Sequence, residues 1–293
     1  MAFNLQTLRT RALTSAVFVI VMMLGLLWNN WSFFVLFSII HFGCWIEYQK
    51  LIGLIDSDYL QVSAFHKYGV MLAGWCLMLY FTNDSYSFGK LSLHSIGWWL
   101  GLIFIFLMPI IELLFSKELI VKNIGYSILG LIYISLSWGL MMDLRNPDIL
   151  LNAGDSVTGT FRPWLIPLVS ILSIWTNDTM AYLVGSWIGK TPFSKISPKK
   201  TWEGTIGGAL LCVILVTAVF NQVFSWKHLL VISSIAAIAG TLGDLLESKL
   251  KRMANIKDSG HIMPGHGGFL DRFDSLIVAT PFIWLYVKYL VAL

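Results

Sequence analysis

The sequence predicts an all-α polytopic membrane protein with about nine transmembrane helices, and three observations carry that prediction. Hydrophobic residues make up 57% of the 293-residue chain, and only 12% are charged. A water-soluble domain carries about 25% charged residues, so too little charge is present to coat a water-facing surface. The apolar residues run continuously over lengths suited to crossing about 30 Å of hydrocarbon and do not alternate, which excludes a transmembrane barrel and a disordered chain. Charge is also distributed asymmetrically. With the N-terminus inside, outer segments hold only Lys90, Arg145, Arg162, Lys227 and Lys288 of the 20 lysines and arginines. That is a strong positive-inside bias.

The apolar runs fall at 12–28, 31–46, 68–82, 96–115, 124–142, 164–189, 204–224, 229–246 and 274–292. Arg9 and Arg11 give the first run the look of a signal peptide. It is followed by Trp28-Asn29-Asn30-Trp31 and a second span, with no small-residue cleavage site, so it reads as a retained helix. The third run is the softest. The charge bias places the N-terminus in the cytoplasm, and an odd number of spans then places the C-terminus outside. Trp28, Trp31, Trp98, Trp99, Trp164 and Trp226 lie near span ends, where indole rings anchor at the interface. Cys44, Cys76 and Cys212 all lie in apolar stretches and read as inert core thiols.

Two parts differ in character. Residues 1–163 read as N-terminal membrane helices without a motif, their charges in short loops apart from Glu112, which is close enough to a span end to snorkel. Residues 164–293 read as catalytic membrane helices and cytoplasmic loops, because polar groups accumulate at the inner ends of their spans.

The first polar cluster is Thr176-Asn177-Asp178-Thr179, inside the sixth span. A carboxylate there costs about 2.5–3.5 kcal/mol on insertion scales, so Asp178 faces either a polar cavity or a neighbouring helix. Gly185 and Gly189, at i and i+4, suit close helix packing. The second cluster is the inner loop from Gly189 to Gly204, with Lys190, Lys195, Lys199 and Lys200. Lysines, hydroxyls and the amides of an opening helix make a phosphate cradle, although the positive-inside rule alone also puts lysines in an inner loop. In the third, Asp244, Ser248 and Lys251 share one helix face. The fourth runs from Lys257 to Ser275, where Asp271 and Asp274 stand at i and i+3 around a glycine-rich approach.

Carboxylates meeting at one membrane face repel unless a cation intervenes. Hard oxygen ligands suit Mg²⁺, which shares its remaining positions with substrate phosphates, and surrounding lysines suit the phosphates themselves. The alternative is a structural charge network of the aspartates with Arg272, Lys251 and Arg252. A secondary transporter would need broken helices in both halves and a midplane site, and the one-sided distribution of polar residues disfavours it.

The segment Ser248-Lys249-Leu250-Lys251-Arg252, then Lys257-Asp258, then His266-Gly267-Gly268-Phe269-Leu270-Asp271-Arg272-Phe273-Asp274 resembles the signature of the phosphatidate cytidylyltransferases. The elements Asp178-Thr179, Ala181-Tyr182 and Ser197-Pro198-Lys199-Lys200-Thr201-Trp202-Glu203-Gly204 also look like that family. The resemblance implies conversion of CTP and phosphatidate to CDP-diacylglycerol and pyrophosphate in a bacterial cytoplasmic (inner) membrane. It implies Mg²⁺ and a monovalent K⁺ held by Asp244, Asp271 and Asp274, with Lys257 beside them as a catalytic residue. Ser197, Lys199, Lys200, Thr201, Ser248, Lys251, Arg252 and Arg272 are the expected substrate-binding residues. Asp178 marks the cavity for the lipid head. His266 is either a proton or hydrogen-bond group or a loop-shaping residue. A homodimer is the expected assembly, with no nucleic-acid partner, and an enzyme acting on a related lipid phosphate is the nearest competing reading.

Overall fold

The computed structural model of the protein describes residues 5–115, 121–146, 162–260 and 267–290. Among these the chain forms nine long helices, and each apolar run read from the sequence coincides with one. They are α1 (Leu5–Leu27), α2 (Asn30–Ile55), α3 (Ala64–Tyr80), α4 (Leu93–Phe115), α5 (Val121–Asp143), α6 (Leu165–Ile188), α7 (Trp202–Phe220), α8 (Trp226–Met253) and α9 (Leu270–Leu285). A π turn carries α9 on through Leu290, and another interrupts α5 at Leu131–Leu136. A two-residue hairpin, Ser87–Phe88 with Leu91–Ser92, is the sole sheet among the described residues, and Gly89 supplies the positive φ of its turn. Five helices are long and apolar enough to cross a membrane: Asn30–Ile55, Leu93–Leu114, Val121–Asp143, Trp202–Phe220 and Trp226–Met253. The protein is therefore an all-α, multi-pass membrane protein.

The chain divides into two compact units, Met1–Met142 with Leu250–Phe273, and Asp143–Lys249 with Asp274–Leu293. In the first, α2 is the central rod. Asn29 caps it, accepting from the Ser32 amide while Ser32 Oγ accepts from the Asn29 amide, a reciprocal box that fixes its start. Its face buries Phe37, Trp45 and Leu51, and Trp45 and His41 both reach Ser135 Oγ in the π turn of α5, at 2.8 and 3.0 Å. The apolar run predicts a span that ends at residue 46, with Glu47 in a loop. The helix instead runs nine residues further, and Glu47 is only 7% exposed. Glu112 lies 2.5 Å from His66 Nδ1, whose Nε2 meets Ser127 Oγ at 2.7 Å.

In the second unit, α6 and α7 pack backbone to backbone. A Cβ on Gly208 would lie 2.6 Å from the Ala181 backbone, and one on Gly204 would lie 2.8 Å from the Ala181 carbonyl. A Cβ on Gly189 would lie 2.5 Å from Thr201 Oγ1 and one on Gly185 3.2 Å from it, the close packing that the i, i+4 glycine spacing predicts. Cys44, Cys76 and Cys212 are buried, and none is in a disulfide.

Candidate active site

Three carboxylates converge in the second unit. Asp244 and Glu247 project from neighbouring turns of α8, and Asp274 comes from the first turns of α9. One oxygen from each lies within 4.8 Å of the other two. Glycines make the meeting possible, since a Cβ on Gly243 would lie 2.5 Å from the Asp274 carbonyl. Glu247 is fully buried and Asp274 is 7% exposed. Asp274 accepts from the Ser275 amide at 2.6 Å, and Asp244 accepts from Ser248 Oγ at 3.2 Å and pairs with the Lys200 ammonium. Oxygens on one hard cation, with bonds of about 2.0–2.6 Å, span about 4–5 Å. The donor set and its spacing fit such an ion.

Beside the cluster opens a cavity of about 430 Å³, lined by Asn177, Asp178, Lys199, Lys200, Thr201 and Asp244 among others. The loop that brings the lysines here is pinned at both ends. Glu203 accepts from the amides of Lys190 and Thr191 and from Thr191 Oγ1, at 2.8–3.2 Å. Thr191 and Trp202 are then joined through the backbone, as are Phe193 and Lys200. Ser197 forms the last turn, its carbonyl accepting from the Lys200 amide at 3.1 Å. Thr201 caps α7 by accepting from the Gly204 amide. Anionic and cationic groups thus share one wall system, a combination suited to a phosphate bridged to a metal ion.

The first unit holds a different acidic arrangement. Asp271 Oδ1 meets Lys251 Nζ at 2.6 Å, and Oδ2 accepts from the Ser259 amide, Ser259 Oγ and the Gly268 amide at 2.8–3.0 Å. Burial opposes ionisation of Asp271, but the Gly268 amide and the Lys251 ammonium outweigh it and hold the carboxyl below its ordinary value. Glu47 accepts from Ser259 Oγ at 2.6 Å, the Phe269 amide at 2.9 Å and the Leu270 amide at 2.8 Å.

Of the residues expected from sequence, Asp178, Lys199, Lys200, Thr201 and Asp244 line one cavity, and Asp244 and Asp274 share one cluster. Lys251 and Asp271 form the pair that the charge-network alternative anticipated. Lys257, Arg252 and Arg272 are exposed, and Arg252 donates to the Ile256 carbonyl at 3.2 Å. His266 lies outside the described residues. Sequence reasoning missed Glu247 and Glu47. The first had a visible signal, standing i+3 from Asp244 on the same helix.

Comparison with known proteins gives a consistent match. The model of the Cytidylyltransferase family matches residues 9–290. The chain is 37% identical over 183 residues to the phosphatidate cytidylyltransferase of Bacillus subtilis, covering 59% of this chain and 63% of that protein. It is 35% identical over 199 residues to the phosphatidate cytidylyltransferase of Rickettsia bellii, covering 64% and 80%. It is 44% identical over 126 residues to phosphatidate cytidylyltransferase 4, chloroplastic, of Arabidopsis thaliana, covering 41% and 32%. The match therefore spans less than two thirds of the Bacillus protein and about a third of the Arabidopsis one.

Proposed function

The chain belongs to the cytidylyltransferase family, and on that premise we propose that it joins CTP to phosphatidate, forming CDP-diacylglycerol and releasing pyrophosphate. An oxygen of the lipid phosphate attacks the α-phosphorus of CTP, and the bond to the β-phosphate breaks. The attacking phosphate is already anionic near neutral pH, so the site needs no strong base; its task is to hold two anions together. The observation that carries this reading is the convergence of Asp244, Glu247 and Asp274 beside a cavity lined by Lys199 and Lys200. A hard cation held there, Mg²⁺ with K⁺ as its companion, would polarise the phosphates and stabilise the departing pyrophosphate.

Lys199 and Lys200 take phosphate charge, Thr201 and Ser197 shape their loop, and Ser248 orients Asp244. Asp178 lines the entry for the lipid head. The family resemblance adds Asp271 and Lys257 to the catalytic group, Lys251, Arg252 and Arg272 to the substrate contacts, and His266 to the same segment. The reacting groups belong to 164–293, with 1–163 supplying membrane helices. The apolar runs support nine spans and the charge asymmetry a cytoplasmic N-terminus, and the family resemblance adds a bacterial cytoplasmic membrane and a homodimer. The test is the purified protein in detergent with isotope-labelled CTP, phosphatidate and Mg²⁺. Labelled lipid should form only when all three are present. Equal product in EDTA would remove the metal, and no product at all would overturn the reaction.

A further inference from the structure

We infer that Glu47, from the stretch that carries no motif, is a positioning residue for the Asp271 segment, an inference that rests on the nucleotidyl-transfer reading above. The argument begins with cost. A carboxylate 7% exposed in the middle of an apolar helix is expensive unless donors surround it, and Glu47 has three. Two of them are the Phe269 and Leu270 amides at the very start of α9, groups that have no partner within their own helix. The negative charge also favours that end of the helix dipole.

The third donor decides the role. Ser259 Oγ bonds both Glu47 Oε2 and Asp271 Oδ2, at 2.6 and 3.0 Å, so the two carboxylates share one hydroxyl. Backbone closes tightly around the same point, since a Cβ on Gly260 or Gly268 would lie 2.2 Å from Glu47 oxygens. Glu47 therefore fixes Ser259, Phe269 and Leu270 against one another, and with them the direction in which Asp271 points. A displacement of about 1 Å at a reacting group can cost about 100-fold in rate.

Glu47→Gln keeps shape and loses function of one oxygen, because the amide nitrogen donates where an acceptor is needed. The expected result is a folded protein whose kcat falls at least about 30-fold while KM for CTP stays within about threefold. Ser259→Ala, which leaves the Glu47 contacts to α9 intact, should lower kcat by about three- to tenfold. The double variant should be no slower than Glu47→Gln alone, since both act through one chain of bonds. Amide exchange at Phe269 and Leu270 should accelerate in Glu47→Gln and remain at the wild-type rate in Asp244→Asn. A merely structural role would lower the melting temperature and the active fraction while leaving kcat per folded molecule unchanged. Wild-type turnover that is lost in Asp244→Asn but retained in folded Glu47→Gln overturns this inference alone. Absence of turnover in the wild type overturns the reaction reading instead, and unchanged amide exchange in Glu47→Gln then overturns the holding role as well. Should Glu47→Gln fail to fold, full kcat in Ser259→Ala overturns the inference.

Discussion

The two acidic groups of this protein use the same chemistry to opposite ends. In the first unit Glu47 and Asp271 are met by donors: amides, a hydroxyl and an ammonium. In the second unit Asp244, Glu247 and Asp274 converge on one another within 4.8 Å. At an effective dielectric of about 20, two unit charges at that separation repel by about 3 kcal/mol. Acids met by donors fasten backbone. Acids that converge call for a cation, and the lysines next to them call for an anion. Asp271 and Asp274, three residues apart, thus fall one in each arrangement.

The largest expected effect tests that separation directly. Asp244→Asn relieves repulsion and gives up one half-exposed ion pair, so melting should stay near the wild-type value while turnover drops by at least about 1,000-fold. Asp271→Asn removes one side of a buried pair with Lys251, so it should lose about 3–5 kcal/mol of stability along with activity. Thermal melting and initial rates on the same preparations check both. Equal melting losses in the two variants would break the comparison.

Ligand linkage sharpens it. Mg²⁺ at 100 times its dissociation constant should stabilise the wild type by about 2.7 kcal/mol, read as a rise in melting temperature. Asp274→Asn should abolish that rise and Glu47→Gln should keep it. Next in size is Gly243→Ala, whose new methyl would press on the Asp274 backbone. Overpacking of this kind costs about 1–3 kcal/mol, and the metal-dependent rise should shrink because Asp274 is displaced. A full rise in Gly243→Ala would show that Asp274 does not need its present position.

Much of the second unit was legible in the sequence because its groups are local. Asp244 and Ser248 share neighbouring turns of one helix, and Lys199, Lys200 and Thr201 are adjacent. An intramembrane Asp178 announces itself by its cost. Glu47 was not legible, for a physical reason. Its partner Ser259 is 212 residues away, and nothing in the periodicity of α2 reports a contact at that separation. Placing Glu47 in a loop followed from ending a span at its last apolar run, whereas hydrogen bonds from elsewhere allow the helix to carry a charge onward.

The smallest expected effect concerns a third kind of acid, one paired at the rim. Asp56 closes the end of α2, with Lys122 Nζ 2.5 Å away, the Asp58 amide at 3.2 Å and Tyr126 OH at 3.2 Å. The bond from Lys122 comes first among the causes that hold its carboxyl below the ordinary value, and burial opposes them. A carboxyl whose folded pKa is lowered contributes stability above its unfolded value of about 3.9, and that contribution disappears as pH falls through the lowered value. Asp56→Asn should therefore melt slightly below the wild type at every pH from neutrality to about 5. The gap should begin to shrink as the pH falls below about 4 and close once the pH is below the lowered value, where the wild-type carboxyl is also neutral. Added salt should narrow the gap at neutral pH, since the Lys122 ammonium is 61% exposed and its attraction is screened. Melting curves at pH 7, at pH 5 and at a series of values below 4 decide it, and a gap that widens in acid would assign Asp56 a role other than that of an ionised partner.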